Sequence, residues 1–210
     1  MVDKHGAATI LVVDDDASVR KSLSRVISEA GYRVETYASS REFLARVRQP
    51  GPSCLVLDVR MPGMTGLELQ QTLAGAVHEI PIVFITGHGD IPMSVKAMKA
   101  GAVDFLTKPF ARKDLLDAIA RAVAKDARDL GMEARDDEIR GRVKLLTPRE
   151  SQVFALVVTG MLNKQIASEL GIGEKTVKVH RARVMEKMQA GSLAALVRLA
   201  YAAGIIVTEA

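Results

Sequence analysis

Only one cysteine, Cys54, occurs in the 210 residues, and it lies inside an apolar run. Without a second thiol, an intrachain disulfide framework and a Cys-rich zinc site are both excluded, and a reducing cytoplasm is the expected setting. No stretch approaches the roughly 18 consecutive apolar residues that a membrane span needs. Asp3 and Lys4 near the start are not followed by a signal-type core, so a soluble, unexported chain with no membrane partner is expected. His78 and His88 lack a second histidine at i+4, so zinc-type spacing is missing there and loop or surface positions are expected.

What remains is a globular composition. A hydrophobic content of 48% is enough to bury real cores, and the length allows one large domain or two small ones. Net charge is only +4, but it is unevenly spread. Residues 1–120 carry 14 basic and 14 acidic side chains, whereas residues 145–210 carry 8 and 5, so a polyanion is expected to bind near the C-terminal end.

The first 120 residues alternate apolar strand-like runs with amphipathic stretches. Strands are expected over 9–13, 33–36, 54–57, 82–85 and 103–106, each followed by a helical pattern. That alternation predicts an α/β fold: a five-stranded, doubly wound parallel sheet with helices on both faces. Ligands in such sheets gather at the carboxyl ends of the strands. Asp14, Asp15 and Asp16 follow the first strand, Asp58 ends the third, Thr86 the fourth and Lys108 follows the fifth.

Side-by-side carboxylates repel and raise one another's pKa, which a hard cation with oxygen ligands relieves. Asp is also a favoured N-cap, so "VVDDDASVR" taken alone reads better as the start of a helix than as a metal site. Asp58, delivered by "CLVLDVRMPGMTG", is placed to act as a nucleophile toward phosphorus. Thr86 can donate a hydrogen bond to a phosphate oxygen, Lys108 can pair with another, and Pro109 is a candidate for a cis bond. Each residue has a bland reading as a cap, surface lysine or turn former. Their joint placement at strand ends favours a phosphoryl site.

The segments "VVDD", "LVLDVRMPGMTGLEL", "PIVFITGHGD" and "AMKAGAVDFLTKPF" resemble the CheY-like receiver domain of bacterial two-component response regulators, over residues 8–122. The resemblance implies a flavodoxin-like sheet, Asp58 as phosphoacceptor, Thr86 as the switch hydroxyl, Lys108 as the phosphate-sensing lysine and Phe105 as the switch aromatic. It also implies Mg²⁺ or Mn²⁺ held by Asp15, Asp58 and the backbone carbonyl of Arg60, with Asp14 acting through water. Asp16 falls outside that set and is expected to cap the first helix. His88, two residues after Thr86, is placed to influence the phosphoryl lifetime. A Mg²⁺-dependent phosphatase with an aspartyl nucleophile is the rival reading, although Arg60 stands where such enzymes commonly carry a second Asp. A binding module that works without phosphorylation is another.

Residues 123–143 read as a charged helical linker, interrupted or kinked near Gly131 and laced with (i, i+4) ion pairs. Beyond Leu145 the strand signal disappears until the last few residues. Thr147, Pro148 and Glu150 form a capping-box signature, and further helices are expected over 163–170, 174–188 and 192–203. Residues 144–210 therefore predict a smaller all-α, four-helix domain.

"NKQIASELGIGEKTVKVHRARVMEKM" has the shape of a helix-turn-helix, with Gly171 ending one helix and Gly173 allowing the turn. Val177, Val184 and Met188 share an inward face, while Lys175, Lys178, Val179, Ala182 and Arg183 project outward toward phosphates and base edges. Lys164 and Thr176 add candidate contacts. The pattern resembles the LuxR and NarL class, and the whole chain resembles FixJ-type transcriptional regulators. That implies a sensor histidine kinase, double-stranded promoter DNA and RNA polymerase as partners. It also implies homodimerisation on phosphorylation through the segment 93–106, and base contacts at Lys178 and Val179. A third, often basic, family position is Ala182, for which Arg183 is the candidate substitute.

Overall fold

The computed structural model describes residues 8–47, 49–75, 79–87 and 91–205. His78, His88 and the final residues 206–210, where a further strand signal was expected, lie outside these described residues. The chain divides into two compact units, one before Gly131 and one from Gly131 onward.

In the first unit, β1 (Thr9–Val13), β2 (Arg33–Tyr37), β3 (Ser53–Asp58), β4 (Ile82–Thr86) and β5 (Asp104–Thr107) form one parallel sheet in the order β2-β1-β3-β4-β5. All five strands expected from the sequence are present, with ends shifted by a residue or so. The runs of Val, Ile and Leu in β1, β3 and β4 are buried throughout because both faces of the sheet are covered.

Side-chain alternation divides these runs between two cores. Ile10, Val12, Cys54, Val56, Val83 and Ile85 pack with Leu23 and Ile27 of α1 (Ala17–Glu29) and with Leu115 and Ile119 of α5 (Arg112–Lys144). Leu11, Val13, Leu55, Leu57 and Phe84 meet Phe43 of α2 (Ser40–Leu44), Leu69 of α3 (Gly66–Leu73) and Ala97 of α4 (Ile91–Lys99).

Register and close packing position the strand ends. Val13 pairs with Leu57, so their successors Asp14 and Asp58 come level at the carboxyl edge. The loop after Asp58 folds back tightly: the Gly66 amide donates to the Val59 carbonyl at 3.0 Å. A Cβ added at Gly66 would stand 2.3 Å from the Asp58 backbone oxygen. At the opposite end of the sheet, the fully buried carboxylate of Asp126 accepts from the backbone and hydroxyl of Ser53 at 2.7 and 3.2 Å.

Gly131 lies within α5, so an interruption, the first of the two outcomes expected at this glycine, does not occur there. One glycine costs a helix only about 1 kcal/mol relative to alanine. Its neighbours are strong helix formers, and local ion pairs such as Lys125–Asp129 and Arg142–Glu138 add support.

In the second unit, α6 (Pro148–Val158), α7 (Asn163–Leu170), α8 (Glu174–Lys187) and α9 (Leu193–Ala202) bury Phe154, Ile166, Val177, Val184, Met188 and Leu196 together with Ile139. Thr147 and Glu150 form the expected capping box, with Pro148 in the first turn. The buried Glu150 also accepts from Lys187 Nζ at 2.6 Å, and Lys187 donates to the Leu145 carbonyl at 3.0 Å. In return, Arg142 donates to the Met188 carbonyl at the end of α8 at 3.2 Å. Each helix thus supplies a cation to the carbonyl-rich end of the other.

The turn between α7 and α8 depends on one glycine rather than two. Gly171 takes φ +64° as the left-handed cap of α7. Gly173 has φ −71°, a conformation open to any residue, so its expected role in allowing the turn is not required.

Candidate functional site

Four strand ends assemble a charged cleft. Asp14 is 1% exposed: its Oδ1 accepts from the Asp16 amide at 2.9 Å, and its Oδ2 from Lys108 Nζ at 2.8 Å. Asp58 is 6% exposed, with Oδ1 3.1 Å from the same Lys108 ammonium and Oδ2 accepting from the Arg60 amide at 2.9 Å. Lys108 is itself positioned by its backbone, whose N–H donates to the Thr86 carbonyl at 2.7 Å, and it precedes a cis bond to Pro109.

Thr86 is buried at the end of β4 and pairs in register with Thr107. Phe105 is half-buried on β5, its ring centroid 6.1 Å from that of Phe84. Asp15 is exposed at the rim. Asp16 caps α1, its Oδ1 accepting from the Ser18 amide at 2.7 Å and hydroxyl at 2.6 Å. Those bonds hold its carboxyl below the usual range.

The electrostatics of the cleft are finely opposed. Burial pushes the Asp58 carboxyl up; the charge and hydrogen bond of Lys108 pull it down, Asp14 pushes it up again, and the net displacement is upward. Burial pulls the Lys108 ammonium down, but its bond to Asp14 and the charges of Asp58 and Asp14 leave it raised.

Carboxylate oxygens of Asp14 and Asp58 meet at the Lys108 ammonium, and the Asp15 carboxylate, two residues past the end of β1, is exposed. Among the described residues no three His, Cys, Asp or Glu side chains by themselves group around a possible ion position. This donor set fits Mg²⁺, which takes one or two carboxylates and keeps several waters, better than an ion that needs a closed protein cage.

The sequence did not point to Arg20. From the second turn of α1, its Nη1 donates to the carbonyls of Asp14 and Asp15 at 2.8 and 2.9 Å. A long side chain reaching back to main-chain oxygens leaves no periodic or motif signal.

In the second unit, Lys175, Thr176, Lys178, Val179, Ala182 and Arg183 are all exposed on α8, while Val177, Val184 and Met188 are fully buried. Lys164 is exposed in the first turn of α7. Arg181 spans the two helices, donating to Asn163 Oδ1 at 3.1 Å.

Residues 10–120 match the response regulator receiver domain family, and residues 144–200 match the luxR family of bacterial regulatory proteins. This chain belongs to the response regulator family. Nodulation protein W of Bradyrhizobium diazoefficiens is 48% identical over 198 residues, covering 94% of this chain and 87% of that protein. The transcriptional regulatory protein FixJ of Rhizobium meliloti is 48% identical over 200 residues, covering 93% and 96%.

Among solved structures, response regulator StyR superposes with a TM-score of 0.82 at 49% identity, covering 93% of this chain and 99% of that one. Full-length FixJ from B. japonicum gives 0.57 at 42%, covering 97% and 100%. This response regulator therefore combines a receiver with a LuxR-type DNA-binding domain and acts in transcriptional regulation. Among the described residues, no helix is long and apolar enough to cross a membrane.

Proposed function

We propose that Asp58 accepts a phosphoryl group from a phosphohistidine of a sensor histidine kinase, and that the modified protein dimerises and binds promoter DNA. The convergence of Asp14, Asp58 and Lys108 on one cleft at the carboxyl edge is the observation that carries this reading. A carboxylate oxygen of Asp58 attacks phosphorus as the P–N bond breaks, and the imidazole leaves with the bonding pair. Asp15, Asp58 and the Arg60 carbonyl, with Asp14 through water, would hold Mg²⁺ or Mn²⁺. When bound, the cation would supply positive charge that offsets the charge of the carboxylates and of the phosphoryl oxygens.

Lys108 exchanges its bond to Asp58 for one to a phosphoryl oxygen, and the Thr86 hydroxyl supplies another donor. Movement of Thr86 gives the half-buried Phe105 ring room to turn inward, converting a local charge change into a changed β4–β5 surface. Ile91, Val95 and Met98 leave an exposed apolar stripe on α4, which supports this face as the dimer contact.

In the second domain, α8 is the recognition helix. Lys178 and Val179 meet base edges, and Lys164, Lys175, Thr176 and Arg183 contact phosphates or neighbouring bases. RNA polymerase is the downstream partner of the promoter-bound dimer.

Selection of DNA from a random duplex library, with and without acetyl phosphate and Mg²⁺, tests this reading on the full chain. The expected result is phosphorylation-dependent enrichment of paired, symmetry-related half-sites. Equal enrichment in both conditions would separate DNA binding from Asp58, and no enrichment would remove α8 as a reader.

A further inference from the structure

Resting on that reading of the cleft, we propose that Arg20 is a positioning residue for the divalent cation, acting by fixing the backbone that carries Asp15. The two acidic neighbours are held differently. Asp14 has both carboxylate oxygens engaged, one by the Asp16 amide and one by Lys108, so its side chain is oriented directly.

Asp15 has no such support: its carboxylate is exposed, and no side-chain partner among the described residues holds it. What is fixed is its main chain. β1 ends at Val13, and beyond it the carbonyls of Asp14 and Asp15 have left the sheet ladder. One nitrogen of the half-buried Arg20 takes both, at 2.8 and 2.9 Å. The direction in which the Asp15 carboxylate leaves the chain is thereby set from α1.

The charge of Arg20 separates this role from simple electrostatics. A guanidinium beside a cation site repels the cation, so its removal should tighten binding if charge were all that mattered. Positioning predicts the opposite sign. Groups that orient metal ligands typically contribute roughly 10- to 100-fold in affinity.

The test is Mn²⁺ binding by the full chain, read by electron paramagnetic resonance, for the wild type, Arg20→Met, Arg20→Ala and Arg25→Ala. Met retains the unbranched apolar stem, so it serves where Ala fails to fold. Arg25, which pairs with Glu29 on the outer face of α1, controls for loss of charge. Arg20→Met should bind Mn²⁺ roughly tenfold more weakly, while Arg25→Ala matches the wild type. In acetyl phosphate reactions, the Mg²⁺ concentration for half-maximal rate should rise by a similar factor, with the rate at saturating Mg²⁺ little changed.

Mn²⁺ affinity in Arg20→Met that equals or exceeds that of the wild type overturns the role of Arg20 and leaves the site reading standing. A wild type that binds no Mn²⁺ overturns the site reading, and the role of Arg20 with it.

Discussion

Lys108 Nζ lies 3.1 Å from Asp58 Oδ1, a partner fifty residues earlier in the chain, yet the ion pair does not offset the burial of that carboxylate. A folded-state pKa raised above the unfolded value means that the folded chain holds the proton more tightly, so stability is lost as pH rises through that range. At neutral pH without divalent cation, Asp58→Asn should therefore melt at a higher temperature than the wild type. The gap should close as pH falls below about 4, where the carboxyl is protonated in both states. Scanning calorimetry in EDTA across pH reads it, and a lower melting temperature for Asp58→Asn would mean that the Lys108 pairing dominates.

Divalent cation should reverse that order. A ligand at ten times its Kd stabilises the folded state by about 1.4 kcal/mol, and only a chain that retains Asp58 should gain the full amount. Melting curves with and without Mg²⁺ for wild type and Asp58→Asn check this, and equal shifts in both would place the cation elsewhere.

Gly66 connects packing to chemistry. A methyl there meets the Asp58 carbonyl oxygen at 2.3 Å and Val59 Cα at 3.1 Å, both main-chain atoms with little freedom to move. Gly66→Ala should cost about 1–3 kcal/mol in urea unfolding. It should also slow phosphorylation by acetyl phosphate, because relief of the contact displaces Asp58, the proposed acceptor. Unchanged stability and rate would show that the α3 start can shift freely.

Glu150 makes the helical domain acid-sensitive. Its bond to Lys187, aided by the Thr147 amide and opposed by burial, lowers its carboxyl to about 2. A depressed folded-state value contributes stability that is complete above the ordinary glutamate range and is lost as pH falls toward 2. Glu150→Gln should lower the unfolding midpoint of the helical domain at pH 7, with the difference from wild type shrinking below about pH 4.5. A difference independent of pH would assign the effect to packing.

Lys178 is exposed on α8 and paired only loosely, 3.8 Å from Glu174, so it can turn toward DNA at little cost. If it makes a bidentate base contact, Lys178→Ala should weaken binding to a selected site by about 1–3 kcal/mol and relax specificity at one position. A uniform loss across sequences with a shallower salt dependence would assign it to phosphate instead.

Much of this arrangement could be read from the chain because its signals are local. β-branched runs ending in Asp, Thr or Lys mark buried strands and what they carry to one edge, and Thr147–Pro148–Glu150 marks a helix start. Asp16 as a cap follows from its position ahead of an amphipathic pattern. Asp126 did not stand out, since a carboxylate in a charged stretch reads as solvated until the fold seals it against Ser53. Arg20 is invisible for a different reason: its partners are carbonyls that every sequence has. Gly131 misled: an intrinsic preference of about 1 kcal/mol is too weak to end a helix supported along both flanks.

The central claim, that Asp58 is the phosphoryl acceptor, is tested most directly by intact-protein mass spectrometry. Wild type and Asp58→Asn would each be measured after incubation with acetyl phosphate and Mg²⁺. One added phosphoryl group on the wild type and none on Asp58→Asn is the predicted result. An unmodified wild type, or equal modification of both, would contradict it.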